Sequence, residues 1–524
     1  MLKGQQGCCA KRNSDAQKEL KMRMKPGFIF LILLLGCCSA SFGAVRMPAI
    51  FSDNMVLQRD TPIPVWGWAE PGKKIAVALG TNSVTATADD DGKWKVKLPA
   101  QPAGGPFSLS VSGSGSISYK NIMLGDVWVC AGQSNMEMGL WRCANPKEEI
   151  AKSDYPKFRI YIVNRELLSS ELRDDASGKW EVCGPKTSAW LSGVGYAFGR
   201  ELLKDLNVPI GLIHACRGST PITSWISMKA LHSFPEASKL YKGYEKLDPK
   251  LSAPFDKWKE TLADWKKNRD SGRDPGPYPE RPVFDTDMYY PGSVFNGQIA
   301  PLTPFAVKGI IWYHGEADIG NYNIYSKLFL LLIKDWRTRW GRDDLPFLFV
   351  QLANFGNPSS LTGDSSWANM REAQAQALSL PNTGMAVAID AGAVDYFPPD
   401  KKAVGERLAL AARGVAYGEK VEYSGPVFER MKVNGNSAEI SFQHAGKGLK
   451  IGDGKQEALK GFAVAGSDGK FYGADAVIKG NTVVVSSSKV SGPAAVRYGW
   501  ADNPECNLYN SEGLPAVPFR SDSK

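Results

Sequence analysis

The chain reads as an α/β protein, with a mostly parallel sheet over residues 121–420 and β-rich segments before and after it. Three observations lead there. Across the middle, apolar strand-like runs such as Val307–Tyr313, Leu345–Gln351 and Met385–Ile389 alternate with helical patterns over 325–340, 369–380 and 402–416. Near the start, Asp91-Gly92 precedes a strict period-two run, Lys93–Leu98. Beyond residue 421, Asn434-Gly435 and Asp468-Gly469 return as hairpin signals. Strand and helix in alternation imply a parallel sheet covered on both faces, and ligands then collect at the carboxyl ends of its strands.

Residues 1–43 read as an export signal with a preceding segment. Arg23 and Lys25 stand before the apolar core Phe28–Leu35, which is followed by small residues, Ser41-Phe42-Gly43. That core is too short to cross a bilayer as a helix. Leu34-Leu35-Gly36-Cys37 resembles a lipoprotein box, which makes Cys37 a possible lipid anchor. The mature chain is thus expected to be exported, without an integral span.

Residues 44–120 read as strands. In Lys93–Leu98 the lysines face one way and Trp94, Val96 and Leu98 the other, the pattern of a half-buried antiparallel strand. Pro71-Gly72 and Gly104-Gly105-Pro106 mark further turns.

The most informative run is Gly132-Gln133-Ser134-Asn135-Met136, which follows the strand-like Leu124–Cys130. It places a serine where the chain leaves a buried strand. Glycine permits a tight turn that exposes the hydroxyl and gathers backbone N–H groups around it, so such a serine can attack an acyl carbon. Val208–His214 and Val307–Tyr313 end in the same way, before Arg217-Gly218 and His314. Residues 230–290 interrupt the alternation as an insertion. Phe255, Trp258, Leu262 and Trp265 share a helical face there, and the insertion reads as a packed strut or lid that shapes a substrate mouth.

Composition narrows the function classes. With 43% hydrophobic and 22% charged residues the chain is globular. The formal charge of +9 includes +5 within residues 1–25, and no basic stripe with interleaved aromatics remains, which argues against nucleic acid. No metal-ligand spacing or phosphate loop is present, so neither metal nor cofactor is expected. Past the signal lie Cys130, Cys143, Cys183, Cys216 and Cys506, and export would permit a disulfide such as Cys143–Cys183. The histidines are His214, His232, His314 and His444. His214 reads as a satisfied core residue, His232 and His444 as surface residues.

The ordered motifs resemble the sialate O-acetylesterase family of the SGNH/GDSL hydrolases. They are Ser52–Arg59, Pro64–Trp68, Gly132–Met136, Thr220-Pro221-Ile222 with Trp225, Asn296-Gly297, Trp312–Glu316, Gln351–Phe355, Arg371–Gln374 and Val496–Trp500. The resemblance implies a flavodoxin-like SGNH hydrolase domain flanked by N- and C-terminal β-sandwich segments, the latter over 421–524, and removal of acetyl groups from an acetylated glycan. It makes Ser134 the nucleophile, with its own N–H and that of Gly218 as oxyanion donors. Ser219 stands where the family usually has glycine, and His314 where it has glutamine. His314 is therefore an oxyanion donor, a relocated base, or a pocket-wall residue hydrogen-bonded to Glu316. Gln133, Arg217, Asn296 and Glu316 are expected around the substrate. The family's base histidine falls on Phe397, within Val394-Asp395-Tyr396-Phe397-Pro398, and phenylalanine cannot accept a proton. Asp395 is the candidate surviving acid. Two readings follow from this loss, an O-acetylesterase or a catalytically impaired glycan-binding relative.

Overall fold

The computed structural model describes residues 45–241, 253–271, 273–274, 276–277, 279, 288–452 and 458–522. The signal segment and Cys37 lie outside the described residues.

A central sheet organises the molecule. Its strands run in the order Thr383–Val387, Phe347–Gln351, Gly309–Tyr313, Gly115–Gly132, Ile210–Cys216, Tyr155–Ile162 and Trp180–Cys183. Neighbours are parallel except the last pair, which is antiparallel. All five residues of Gly309–Tyr313, of Phe347–Gln351 and of Thr383–Val387 are buried, as two-sided cover requires. On one face Trp128 meets Phe198 edge to face, and Leu348 packs toward Ala411 and Val415. That face carries the helices Gly193–Leu206 and Lys402–Val415. On the other, Trp312, Phe347 and Phe349 pack against Phe329 and Trp336 of Tyr322–Trp340.

Helix ends follow local chemistry. Ser192 accepts the Gly195 N–H to open Gly193–Leu206, and Asn207 closes it in the left-handed conformation at φ 51°. Ser365 caps Ser366–Ala375 in the same way through the Ala368 N–H.

The N-terminal expectation for Lys93–Leu98 holds. Its residues alternate exposed and buried, and it pairs antiparallel with Ile63–Trp68. The domain boundary placed at residue 120 falls inside one strand. Gly115–Gly132 starts by pairing with Gly104–Gly113 and finishes at the centre of the main sheet. Gly125 allows the passage, since a Cβ there would lie 2.0 Å from the Pro209 carbonyl oxygen.

At the C-terminal end two four-stranded sheets share a core that includes Ile440, Val483, Phe462, Val496 and Tyr498. Both hairpin signals sit in turns, with Gly435 at φ 61° and Gly469 at φ 70°. Arg371, fully buried, donates to the carbonyls of Ala501 and Asp502 and so fastens this end to the main sheet. The insertion contains the helix Ala253–Asp270, in which Trp258 and Trp265 donate to the carbonyls of Pro279 and Gly276. No helix among the described residues is long and apolar enough to cross a membrane.

Candidate active site

Three central strands end level, with Gly132 opposite both Cys216 and Tyr313. Gly132 has φ 136°, and a Cβ there would lie 2.2 Å from the Tyr313 carbonyl oxygen. Glycine is therefore required, because the neighbouring strand presses directly on the turn. The turn is clamped on both sides, by Gln133 N–H to the Tyr313 carbonyl at 3.0 Å and Arg217 N–H to the Gly132 carbonyl at 3.0 Å. Ser134 then opens the short helix Ser134–Glu137.

Ser134 lines an open cleft of about 690 Å³. Gly218 lies across from it, and a Cβ on Gly218 would stand 3.3 Å from the Ser134 Cβ. A side chain there would crowd Ser134 and displace the Glu137 carboxylate, 2.8 Å from that Cβ position. Ser219 follows at φ 61°, in the left-handed region that favours glycine.

The Gly218 N–H already has an anionic partner. Glu137, one helical turn after Ser134, accepts it at 2.7 Å and pairs with Arg165 at 3.0 Å. The short helix points Glu137 toward the cleft beside Ser134. Among the described residues lining the cleft, Glu137 is the one carboxylate and His214 the one imidazole.

His214 departs from the satisfied core residue expected of it. It is 5% exposed, and neither ring nitrogen has a hydrogen-bond partner. Burial lowers its pKa to about 4, so the ring is neutral near pH 7.

His314 is placed away from the cleft wall. It is 0% exposed, stacked between Trp312 and Tyr325. Its Nε2 lies 2.8 Å from the Thr220 carbonyl oxygen and its Nδ1 3.1 Å from the Tyr325 hydroxyl. With both nitrogens occupied and the pKa lowered to about 4 by burial, the ring braces the turn after Gly218 and stands apart from the cleft where a base or oxyanion donor was expected. Asp318 supports the same turn by accepting the Ile222 N–H at 2.7 Å.

The remaining expected residues divide between cleft and scaffold. Arg217 lines the cleft, with one guanidinium nitrogen 2.9 Å from Glu166. Gln133 and Asn135 both donate to Glu316, and Lys401 donates to the Asn135 side-chain oxygen at 2.7 Å. This network lies behind the turn that carries Ser134, so Gln133 and Glu316 support the turn and do not line the cleft. Burial raises the Glu316 carboxyl and lowers Lys401 to about 8. Asn296 is also off the cleft, its amide held by the Ser169 and Ser170 carbonyls at 3.2 and 2.8 Å. Asp395, expected as the acid of the site, is exposed and off the cleft wall that Ser134 lines. Phe397 does line the cleft, with the Arg142 guanidinium 4.9 Å from its ring centre. The thiols of Cys143 and Cys183 are free, which corrects the suggested disulfide.

Sequence reasoning missed Glu137, although its position three residues after Ser134 on a helix was a usable signal. It also missed Trp141 and Trp190 at the cleft rim.

Comparisons with known proteins agree on the family. The family model for carbohydrate esterase, sialic acid-specific acetylesterase, matches residues 124–244 and 286–412. Mouse sialate O-acetylesterase is 28% identical over 95% of this chain and 98% of its own, and the human protein 27% over 94% and 95%. A carbohydrate acetylesterase from Xanthomonas citri is 36% identical and superposes with a TM-score of 0.79, over 92% of this chain and all of its own. The chain belongs to the sialate O-acetylesterase family of carboxylic ester hydrolases.

Proposed function

We propose that the protein is an exported carbohydrate O-acetylesterase that removes acetyl groups from sialic acid or other glycans through Ser134. The observation that carries this reading is the placement of Ser134 in an open cleft against the close-approaching Gly218. Export rests on the sequence of residues 23–43. The finer fold reading is a flavodoxin-like SGNH domain, supported by the level strand ends that carry Ser134, Gly218 and His314.

The chemistry needs an acceptor for the Ser134 proton, because a serine hydroxyl alone is a poor nucleophile. Glu137 takes that role in our reading. As Ser134 Oγ bonds to the acetyl carbon, its proton passes to the Glu137 carboxylate. Glu137 becomes neutral as the carbonyl oxygen gains its negative charge, and the Gly218 N–H turns from one oxygen to the other. Collapse breaks the bond to the sugar oxygen, which leaves with the proton from Glu137. Water then attacks the acetyl-serine, Glu137 takes one of its protons and returns it to Ser134 Oγ as the C–O bond breaks, and acetic acid departs and loses its remaining proton to solvent as acetate.

One observation favours a second reading, a slow or inactive relative that binds glycans. Phe397 fills the cleft wall where the family places its histidine. Acetate release from acetylated sialic acid and acetylated neutral sugars separates the two. Release by the native protein well above that of Ser134→Ala supports the esterase. Equal release, with glycans retained on an array, supports the binding role.

A further inference from the structure

We propose that Trp141 and Trp190 form a subsite for the sugar ring next to the acetylated one, so that the protein acts on glycan chains in preference to single sugars. The inference rests on the carbohydrate reading above.

The two indoles are unusual for this molecule. Trp128, Trp225, Trp312, Trp336 and Trp500 are fully buried, whereas Trp141 is 47% exposed and Trp190 68% exposed. Their ring centres lie 5.5 Å apart, with planes inclined at 60°. They come from separate short turns, Leu140–Arg142 and Ser188–Trp190. Backbone bonds join those turns: Leu140 N–H to the Leu191 carbonyl and Gly193 N–H to the Met138 carbonyl, both at 2.9 Å. Gly139 lets Trp141 fold back on the chain, because a Cβ there would stand 2.8 Å from the indole. The turns are anchored by the buried Leu140 and Leu191, while the indoles themselves stay out, at a cost in exposed apolar surface that folding does not require.

Both rings line the cleft that contains Ser134. That continuity fixes the occupant. The cleft volume falls in the range that holds a ligand well beyond one acetylated ring, roughly 300–1,000 Å³. A pyranose presents a C–H face that packs on the negative face of an indole. Its hydroxyl edge then reaches Arg142, whose guanidinium lies 5.7 Å from the Trp141 ring centre. A sugar ring bonded to the acetylated one satisfies both requirements at once.

The test uses the full chain with Trp141→Ala and Trp190→Ala, and three esters: 4-nitrophenyl acetate, an acetylated monosaccharide and the same sugar acetylated within a disaccharide. The kcat/KM ratio of disaccharide to monosaccharide ester should fall about 3- to 10-fold for each variant, the factor expected for one aromatic contact, through a higher KM. Trp190→Phe should recover part of it. An unchanged ratio, or equal losses on all three esters, overturns the subsite. So does a shift from dimer to monomer in Trp190→Ala, which would make the rim a contact between two copies. Should Ser134→Ala match the native protein on 4-nitrophenyl acetate, the esterase reading fails separately. Calorimetric titration with the unacetylated disaccharide then decides, since binding must weaken by a similar factor in Trp190→Ala and equal binding refutes the proposal.

Discussion

Replacing Phe397 with histidine should raise turnover by about 10-fold. A positioned general base contributes roughly 10²–10⁴ in rate over no base, and each tenfold is about 1.4 kcal/mol of barrier. The gain falls below that range because Glu137 already takes the Ser134 proton in our reading. Phe397 lines the cleft with Ser134, so an imidazole there faces the right space. Asp395, which would orient it, is exposed and off the cleft wall, so the new ring lacks its usual support. Arg142 lies 4.9 Å from the present ring. In water-like surroundings it would disfavour a protonated imidazole by about 1 kcal/mol, which keeps the ring a free base near pH 7. Loss of the cation–π contact should cost about 0.5–1 kcal/mol of stability, a Tm change of about 1 °C for a chain this long. Acetate release from an acetylated sugar provides the assay, with Ser134→Ala in the Phe397→His background as control. A folded Phe397→His protein with the native rate would refute the reasoning, as would a gain that survives the loss of Ser134.

Three further outcomes follow from the site. Glu137→Gln should lower kcat at least 100-fold with an unchanged Tm; native turnover in that variant removes Glu137 from the proton path. His214→Leu should stabilise the fold by about 1 kcal/mol or more in urea unfolding, since it removes a buried group with no partner; a loss of stability would show that the imidazole is satisfied in solution. Lys401 is lowered from 10.5 to about 8 by burial, so between those values the unfolded chain binds the extra proton. Rising pH should therefore stabilise the native protein relative to Lys401→Met across that window, by an amount approaching about 3 kcal/mol, as urea unfolding at about pH 7.5 and pH 10 would show. A difference that is flat with pH contradicts the burial of that charge.

Much of the scaffold is legible in the chain itself. Lys93–Leu98 shows its buried face through period-two alternation, and Gly132 and Ser134 show their turn because glycine and a following helix start leave a local mark. What escapes local reading depends on contacts between distant segments. His314 looks available because its partners, Thr220 and Tyr325, are brought to it by other elements. His214 looks like a core residue because its place on the cleft wall appears only in the fold. The join near residue 120 depends on distant contacts too, because one strand, Gly115–Gly132, pairs with Gly104–Gly113 at its start and with the main sheet at its end. Trp141 and Trp190 are nearly fifty residues apart, and neither turn hints at the other.

The most direct measurement is acid-quenched mass spectrometry after mixing the protein with an acetylated sugar. If Ser134 carries the reaction, one acetyl group is found on the peptide containing Ser134 and on no other, and Ser134→Ala shows neither the label nor acetate release. Acetate released at the native rate by Ser134→Ala, with no acetylated peptide in the native protein, would contradict the account.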